Sequence, residues 1–300
     1  MRHQPVLLHE VIDALQLNPG KHVIDCTLGD GGHTEAILKL TAPNGRVLGI
    51  DADPESLARA KQFLYADAER VTFVRENFEH LATIVAEEKF APVNGILMDL
   101  GWSSPQFEER KRGFSFQNPD EPLDMRYTPH SDMKTAAQFL ADSSEEALEQ
   151  LFRTYGEERL SKEIAQAIKI YEQSIDNTSD LVNIVLDVYR KKLKTDKEVP
   201  WVGGLHPATK VFQALRIAVN DEFGVIERAL PQAIDILAPG GRLAVISFHS
   251  GEDRIVKHYF KSQDKKTIRI ITKKPVVASE QEAKENTRAR SAKLRVAEKI

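Results

Sequence analysis

One stretch decides the fold: Val23-Ile24-Asp25-Cys26-Thr27-Leu28-Gly29-Asp30-Gly31-Gly32-His33. Its apolar start, 23–26, predicts a short buried strand, and the glycines predict a tight turn into a helix over 34–40. Glycines at such a turn permit positive φ and let a ligand approach the backbone, while the helix amino terminus favours negative groups. The stretch therefore predicts a strand, a ligand-binding turn and a helix in succession.

Further apolar runs follow and alternate with helical patterns. The run that ends at Asp51 is followed by a helical pattern over 54–65 that begins with proline. The predicted strands are 23–26, 47–51, 71–74, 95–100, 242–248, 267–272 and 293–298. Apolar strands that alternate with helices indicate a parallel sheet covered on both faces. The predicted fold is α/β and Rossmann-like, with a seven-stranded, mostly parallel sheet.

This alternation stops after the fourth predicted strand. Residues 101–129 predict a long ordered loop, and 135–193 predict helices only, with a capping box at Ser143-x-x-Glu146. Residues 207–237 form one long amphipathic pattern, which Pro239-Gly240-Gly241 ends. We therefore expect a helical substrate-recognition domain over 109–203, inserted into a cofactor-binding domain over 1–108 and 204–300.

The composition, 41% hydrophobic and 29% charged, is that of a soluble globular protein. No apolar run is long enough to cross a bilayer, and the first residues lack the apolar core of a secretory signal, so we expect a cytoplasmic protein without a membrane partner. The single cysteine, Cys26, excludes an internal disulfide and a cysteine-rich zinc site, and no metal is expected.

The net charge of −4 conceals an uneven distribution. From Lys261 to Ile300 the chain carries 12 Lys/Arg against 5 Asp/Glu. Such segregation suits a polyanionic partner, although a solvated basic segment has the same composition. Charge alone leaves both interpretations open.

Asp51 lies about 20 residues after the glycines, where the ribose carboxylate of a nucleotide site is expected. A carboxylate there accepts hydrogen bonds from both hydroxyls of an adenosine ribose. A nicotinamide-dependent enzyme would show G-x-G-x-x-G, but Gly29-x-Gly31-Gly32-His33 lacks the third glycine. S-adenosylmethionine carries no phosphate and needs only a close glycine turn and the ribose carboxylate, so the pattern favours this cofactor.

Two further strand ends supply candidate pocket residues. Phe78 follows the third strand and would either flank the adenine or serve as an ordinary core aromatic. Asp99 ends the fourth strand, at the edge where ligands of open α/β sheets collect, or else acts there as a capping or salt-bridged aspartate.

Asp99 also opens the run Asp99-Leu100-Gly101-Trp102-Ser103-Ser104-Pro105-Gln106. The exocyclic amine of a nucleobase is a poor nucleophile because its lone pair is delocalised into the ring. A positioned acceptor for its N–H would assist attack on a methyl group. Asp99, Ser103 and Ser104 are the candidate catalytic acceptors, and Trp102 would stack on an extruded base or pack in the core.

The fifth predicted strand leads into Phe248-His249-Ser250-Gly251-Glu252-Asp253-Arg254. His249 is a candidate for orienting the base, and Arg254 for pairing with an RNA phosphate. The alternative is a plain helix start, with Ser250 as the N-cap and the acidic pair complementing the helix dipole. Glu252 and Asp253 fit the helix-start alternative. For His249 the sequence leaves both roles open, orienting the base or forming part of the helix start. A serine hydrolase is not favoured, because no G-x-S-x-G elbow is present.

Cations and aromatic residues also occur together in the long loop. Arg110, Lys111 and Arg112 precede Phe114 and Phe116. This combination suits an RNA backbone with unstacked bases, and a loop packed against the helical insertion would look the same.

Many collinear segments together form a more specific pattern than any glycine motif. They are 3–10, 25–33, 51–54, 99–106, 112–116, 122–126, 155–159, 206–209, 212–220, 247–250, 252–254 and 290–296. With these segments the chain resembles the bacterial 16S ribosomal RNA (cytosine-N4)-methyltransferase family, also called RsmH or MraW. Two positions depart from the family pattern: Asp30 stands where arginine is common, and Gly251 replaces a leucine.

The resemblance implies a class I methyltransferase fold and methylation of N4 of a cytidine in the decoding region of 16S ribosomal RNA. The implied cofactor is S-adenosyl-L-methionine, and the implied partner is 16S ribosomal RNA or the small ribosomal subunit. Matching motifs imply that the cofactor residues are Gly31, Gly32, His33, Asp51, Phe78, Asp99 and Gln106. The glycine turn adds Gly29 to this set.

Two other classes of function stay open from the sequence. One is a non-catalytic RNA-binding or assembly factor that keeps a methyltransferase fold, which saturable cofactor binding would argue against. The other is a nicotinamide oxidoreductase, which the melting-temperature shifts caused by NAD and by S-adenosylmethionine would separate. The oligomeric state is also open, a homodimer being one alternative.

Overall fold

The computed structural model describes residues 4–100, 111–127, 133–195, 197, 199, 201 and 204–300. Its seven strands form one sheet in the order β3-β2-β1-β4-β5-β7-β6. The strands are β1 (Val23–Asp25), β2 (Val47–Ile50), β3 (Val71–Val74), β4 (Val93–Asp99), β5 (Leu237–Ser247), β6 (Ile268–Ile270) and β7 (Lys293–Lys299). In the described part of the chain, no helix has both the length and the apolar character needed to cross a membrane.

The pairing of the strands makes the sheet doubly wound. β1 pairs in parallel with β2 and with β4, and β3 and β5 extend the sheet in parallel on the two sides. β7 runs antiparallel to both β5 and β6. The winding reverses between β1 and β4, and sheets of this kind bind ligands at the carboxyl ends of the strands beside such a reversal. The predicted seven-stranded, mostly parallel fold is confirmed.

Burial on both faces explains why these strands form. Every residue of β1 and β2 is buried. Ile24 and Leu48 belong to one apolar cluster and their neighbours Val23 and Val47 to another, so alternate side chains fill the two faces. The helices of this unit are α1 (Leu8–Leu15), α2 (Gly32–Thr41), α3 (Pro54–Phe63), α4 (Leu81–Glu87), α10 (Glu222–Ile236), α11 (Ser250–Gln263) and α12 (Glu280–Glu285), and the short 3-10 helices are Tyr65–Arg70, Phe78–His80 and Thr287–Ser291.

The chain divides into two compact units, Met1–Gly101 with Phe223–Ile300, and Trp102–Glu222 as the second. The helices of the second unit are α5 (Ala136–Asp142), α6 (Glu145–Thr154), α7 (Ser161–Ile170), α8 (Thr178–Leu193) and α9 (Thr209–Val219). α9 buries Phe212 and Leu215 in the same core as Phe152 of α6. The second unit therefore extends beyond residue 203, where the sequence placed its end.

Two local predictions around β5 were wrong. The amphipathic pattern over 207–237 is two helices, α9 and α10, because Asp221 between them takes a φ of +47°. Pro239-Gly240-Gly241, which were expected to precede a strand over 242–248, lie inside β5, at a point where the register with β4 shifts. Gly240 has a φ of +75°, which permits this irregularity.

Candidate cofactor site and active site

The turn between β1 and α2 is built around its glycines. Gly31 is the N-cap of α2 with a φ of +82°, and its N–H donates to the Leu28 carbonyl at 2.8 Å. None of the side chains that the structure describes caps α2. A helix start without a side-chain cap presents N–H groups and the positive end of the helix dipole to a ligand.

Gly29 and Gly32 have different surroundings. A Cβ on Gly32 would lie 2.4 Å from Cγ of Pro5, so Gly32 lets the amino-terminal segment pack on the turn. A Cβ on Gly29, where φ is +53°, would come no closer than 3.9 Å to any other described residue. Gly29 therefore leaves its backbone open to a ligand, while Gly32 supports the turn. The sequence had assigned both to the cofactor.

Asp51 follows β2, and its carboxylate accepts a hydrogen bond from the glycine turn. Oδ2 accepts the N–H of Gly29, and Oδ1 accepts the N–H of Asp53, both at 2.8 Å. Burial raises the pKa of Asp51 to about 6, and these two hydrogen bonds oppose the rise. Each carboxylate oxygen can accept about two hydrogen bonds, so Asp51 keeps capacity for ribose hydroxyls. The open glycine and this carboxylate fit the adenosine part of S-adenosylmethionine.

Asp25 connects the turn to β4. Its buried carboxylate accepts the Thr34 hydroxyl at 2.8 Å and the Thr27 N–H at 3.2 Å, and burial raises its pKa. The Thr27 hydroxyl in turn accepts the N–H of Asp99 at 2.7 Å. In the sequence analysis Asp25 was only one residue of a family motif, with no role of its own. The structure gives it the role of anchoring the turn against the end of β4.

Asp99 and His33 lie together beside the reversal of the sheet. Oδ2 of Asp99 is 3.9 Å from Nδ1 of His33, and the Asp99 side chain keeps 18% of its surface exposed. His33 is buried in the first turn of α2, with Nε2 3.0 Å from the carbonyl oxygen of Val6. A carbonyl oxygen only accepts, so Nε2 carries the hydrogen and the lone pair of the neutral ring is on Nδ1. Burial lowers the pKa of His33, which favours this neutral form.

The other predicted site residues divide into those that the structure describes and those that it does not. Phe78 begins the 3-10 helix after β3 and is partly buried against the core, which is compatible with either of its predicted roles. A second group lies outside the residues that the structure describes: Trp102, Ser103, Ser104, Gln106 and Arg110.

Sequence analysis missed Arg288. It lies in the 3-10 helix Thr287–Ser291, and its guanidinium stands over the ring of Phe248 with Cζ 6.0 Å from the ring centroid. Burial lowers the pKa of Arg288, and the Asp99 carboxylate opposes that shift. Arg288 thus brings positive charge to the Asp99 side of the site. Its signal in the sequence was its position two residues before segment 290–296.

The turn between β5 and α11 is a complete helix cap. The N-cap is His249, not Ser250 as predicted, and His249 and Glu252 form a reciprocal capping box. Nδ1 of His249 accepts the Glu252 N–H at 3.4 Å, and the Glu252 carboxylate accepts the N–H groups of Phe248 and His249. Asp253 is engaged by Arg295 at 2.6 Å, and Arg254 is exposed on α11. This geometry gives His249 the capping role.

At both positions that depart from the family pattern, a neighbouring side chain accounts for the residue present. The Arg59 guanidinium donates to Oδ1 of Asp30 at 2.8 Å, so the acid on the glycine turn is paired. A Cβ on Gly251 would lie 2.4 Å from Cζ of Phe223. The Phe223 ring therefore occupies the space that a leucine at this position would need.

Arg112, Phe114 and Phe116 in the described part of the loop make internal contacts. The Arg112 guanidinium donates to the carbonyls of Arg126 and Tyr127 at 2.8 and 3.2 Å. Phe114 and Phe116 pack against the helical core. Lys111 is exposed, with a φ of +50°. Arg112 and both aromatics thus have the geometry of the packed-loop alternative, and Lys111 keeps an exposed charge.

Fold and site together define a class of protein. A doubly wound sheet has a glycine turn after β1, a ribose-type carboxylate after β2 and an aspartate at the end of β4. This is the arrangement of an S-adenosylmethionine-dependent methyltransferase.

Comparisons with known proteins identify the family. Residues 1–300 match the profile described as the MraW methylase family. Ribosomal RNA small subunit methyltransferase H of Heliobacterium modesticaldum is 45% identical over 317 residues, covering 99% of this chain and 98% of that protein. Its namesake in Dictyoglomus thermophilum is 46% identical over 297 residues, covering 99% and 96%. The chain therefore belongs to the MraW methylase family and is a methyltransferase that uses S-adenosylmethionine, as the sequence predicted.

Among solved structures, Aeropyrum pernix fibrillarin with natively bound S-adenosyl-L-methionine aligns with 97% of this chain and 73% of its own. The TM-score is 0.41 and the identity 9%, so this likeness carries no argument about function.

Proposed function

We propose that the protein methylates N4 of a cytidine in the decoding region of 16S ribosomal RNA, in the cytoplasm, with the small ribosomal subunit or its RNA as substrate. The relatives named ribosomal RNA small subunit methyltransferase H support the RNA class. The carboxylate of Asp99 beside the cofactor turn is the observation that carries the chemistry, because an amine needs an acceptor at that place.

The cofactor would be held by the turn between β1 and α2. The open backbone at Gly29 and the spare acceptor capacity of Asp51 receive its adenosine part. When bound, S-adenosylmethionine supplies an electrophilic methyl group, which leaves the sulfur as a bond to the N4 nitrogen forms. Asp25 and Thr27 keep the end of β4 in register with this turn.

Asp99 would act on the amine. Its carboxylate accepts one N–H of the amine, which limits delocalisation of the nitrogen lone pair into the ring. As the new N–C bond forms, the nitrogen becomes positively charged and passes this proton to the carboxylate or through it to solvent. The positive charge of Arg288 acts on Asp99 across the site, and the neutral ring of His33 borders the carboxylate.

RNA recognition would use exposed cations and the second unit. Arg254 and Lys111 are exposed and would contact phosphates, together with Arg110 and with Trp102 as a stacking partner. Arg112, whose guanidinium binds two carbonyls, would position the loop. The helical unit over 102–222 would supply the remaining RNA contacts.

The test is to map the methyl group by mass spectrometry. The protein is incubated with S-adenosylmethionine that carries a deuterated methyl group, and with small subunits from cells that lack the family's enzyme. We expect one labelled cytidine in the decoding region, with the label on N4. Label on C5 of cytosine, or on another base, would refute the proposal.

A further inference from the structure

Positive charge is concentrated on α11 and the residues after it. From Ser250 to Lys274 the chain has eight Lys/Arg and three Asp/Glu, although the net charge of the whole chain is −4. All eight cationic residues are exposed: Arg254, Lys257, Lys261, Lys265, Lys266, Arg269, Lys273 and Lys274. The rest of the chain is therefore strongly acidic, and the cationic field is local.

α11 divides cleanly into two faces. Val256 and Phe260 are buried in the core of the sheet. Arg254, Lys257 and Lys261 are exposed and lie three, four and seven residues apart, so they form one stripe about 10 Å long. Lys265 and Lys266 continue this stripe beyond the end of the helix. We call these five residues the α11 stripe.

The acidic residues of the segment do not neutralise the stripe. Glu252 is buried in the capping box with His249. Asp253 binds Arg295 through both carboxylate oxygens, at 2.6 and 3.1 Å. Oδ1 of Asp264 accepts a backbone N–H at 3.2 Å.

The lysines of the stripe take no part in the ion pairs of the described residues. Within the described ranges, no ion pair joins a carboxylate to Lys257, Lys261, Lys265 or Lys266. A row of exposed ammonium groups that are not held in ion pairs attracts a polyanion, whose condensed counterions are released on binding.

The stripe starts at the catalytic edge of the sheet. Asp99 of β4 is in register with Ile246 of β5, so α11 begins one turn beyond the strand end that borders Asp99. β6 is parallel to β5, since both are antiparallel to β7, and it returns the chain to that edge before Lys273 and Lys274. The exposed cations therefore start near the active edge at Arg254, continue away from it along α11, and lie near that edge again at Lys273 and Lys274.

From this placement we infer that the α11 stripe binds the phosphate backbone of the substrate RNA that flanks the methylated nucleotide. The inference rests on the proposed function for its RNA substrate. Contacts to phosphate contribute affinity and register and do not read sequence, so the stripe holds the strand while the groups around Asp99 receive the base.

The test compares two triple variants. One carries Lys257→Gln, Lys261→Gln and Lys265→Gln. The control carries Lys39→Gln, Lys61→Gln and Lys89→Gln, which removes three equally exposed lysines elsewhere in the same unit. Binding of a 20-nucleotide single-stranded RNA is titrated across a range of potassium chloride concentrations, and KM and kcat are measured with small subunits.

In the stripe variant we expect the slope of log K against log salt to become shallower by about 2, and KM to rise about tenfold, with kcat unchanged. Slope and KM equal to those of the control variant would overturn the inference. If the wild type methylates no cytidine N4, the proposed function fails, and the salt slope still decides whether this face binds RNA.

Discussion

Two strand-to-helix turns lie at the carboxyl edge of the same sheet, and they are built in opposite ways. The turn from β1 to α2 has a glycine N-cap and, beside it, the carboxylate of Asp51 with unused acceptor capacity. The turn from β5 to α11 is closed by the reciprocal cap of His249 and Glu252. Because the side chains of the second turn cap their own helix, whereas no described side chain caps α2, the first turn is the one suited to a small polar ligand.

This difference separates two histidines that the sequence proposed for the site, His33 for the cofactor and His249 for the base. His33 is held by the Val6 carbonyl and borders Asp99 at 3.9 Å. His249 uses its ring to cap α11. A position after a strand end is therefore not enough to give a side chain a chemical role, because its hydrogen-bond partners decide what it is free to contact.

The largest effect on turnover is expected for Asp99→Asn, which removes the proposed acceptor of the amine proton. An amide accepts a proton poorly, so turnover should fall by about 10³-fold. Affinity for S-adenosylmethionine, measured by calorimetry, should stay within a few fold. Near-normal methylation of the subunit would place the acceptor of the amine elsewhere.

Asp51→Ala should weaken cofactor binding by about 10- to 100-fold, since hydrogen bonds to an ionised carboxylate are worth about 1.5 to 3 kcal/mol. The matched control is Asp30→Ala, which removes a carboxylate of the same turn that is paired with Arg59. Its calorimetric affinity should equal that of the wild type. Equal losses in the two variants would mean that the turn has merely unfolded.

The pKa of Asp51, about 6, gives this site a pH dependence of definite sign. In the free protein the raised pKa favours the neutral form, so the stability that Asp51 contributes is complete below its unfolded pKa of about 3.9 and is lost as pH rises through 6. Ribose hydroxyls prefer the ionised acceptor, so cofactor affinity should rise with pH over that window. Calorimetry between pH 5 and 7 should show proton release on binding, and a flat affinity would contradict the assignment.

Gly251→Leu tests the packing of the second turn. The leucine would collide with Phe223, whose Cζ lies 2.4 Å from the Cβ position, and should cost about 1 to 3 kcal/mol of unfolding free energy. Adding Phe223→Ala should recover part of this loss in a denaturant titration. An additive result for the double variant would show that the two positions do not compete for space.

His249→Ala should have the smallest effect, a loss of about 1 kcal/mol in unfolding free energy because α11 loses its cap. His249→Asn keeps a capping side chain and should restore stability. Both variants should retain turnover at saturating substrate. A folded His249→Asn protein without activity would give this histidine a role in the chemistry after all.

β1 and β2 were predictable because every residue in them is buried, which leaves an uninterrupted apolar run in the sequence. β1, β2, β3 and β7 began at the predicted residue. Both proposed N-caps were wrong by one residue: Ser144 caps α6 where Ser143 was predicted, and His249 caps α11 where Ser250 was predicted. Neighbouring polar residues can all serve as caps, so backbone geometry decides among them.

The site was predictable only where a single strand end carries its chemistry. Asp51 and Asp99 could be located because each ends or follows a strand. The role of His33 depends on a carbonyl from the amino-terminal segment, and the positive charge of Arg288 acts on Asp99 from near the carboxyl terminus. Neither contact has a local pattern, because both arise from tertiary packing.

Hydrogen–deuterium exchange with and without S-adenosylhomocysteine tests the contrast between the two turns most directly. S-adenosylhomocysteine, the product that remains after methyl transfer, should bind at the turn from β1 to α2. We predict slower exchange in peptides that cover 26–34 and 50–54, and unchanged exchange over 248–256. The strongest protection over 248–256, with none over 26–34, would contradict the account.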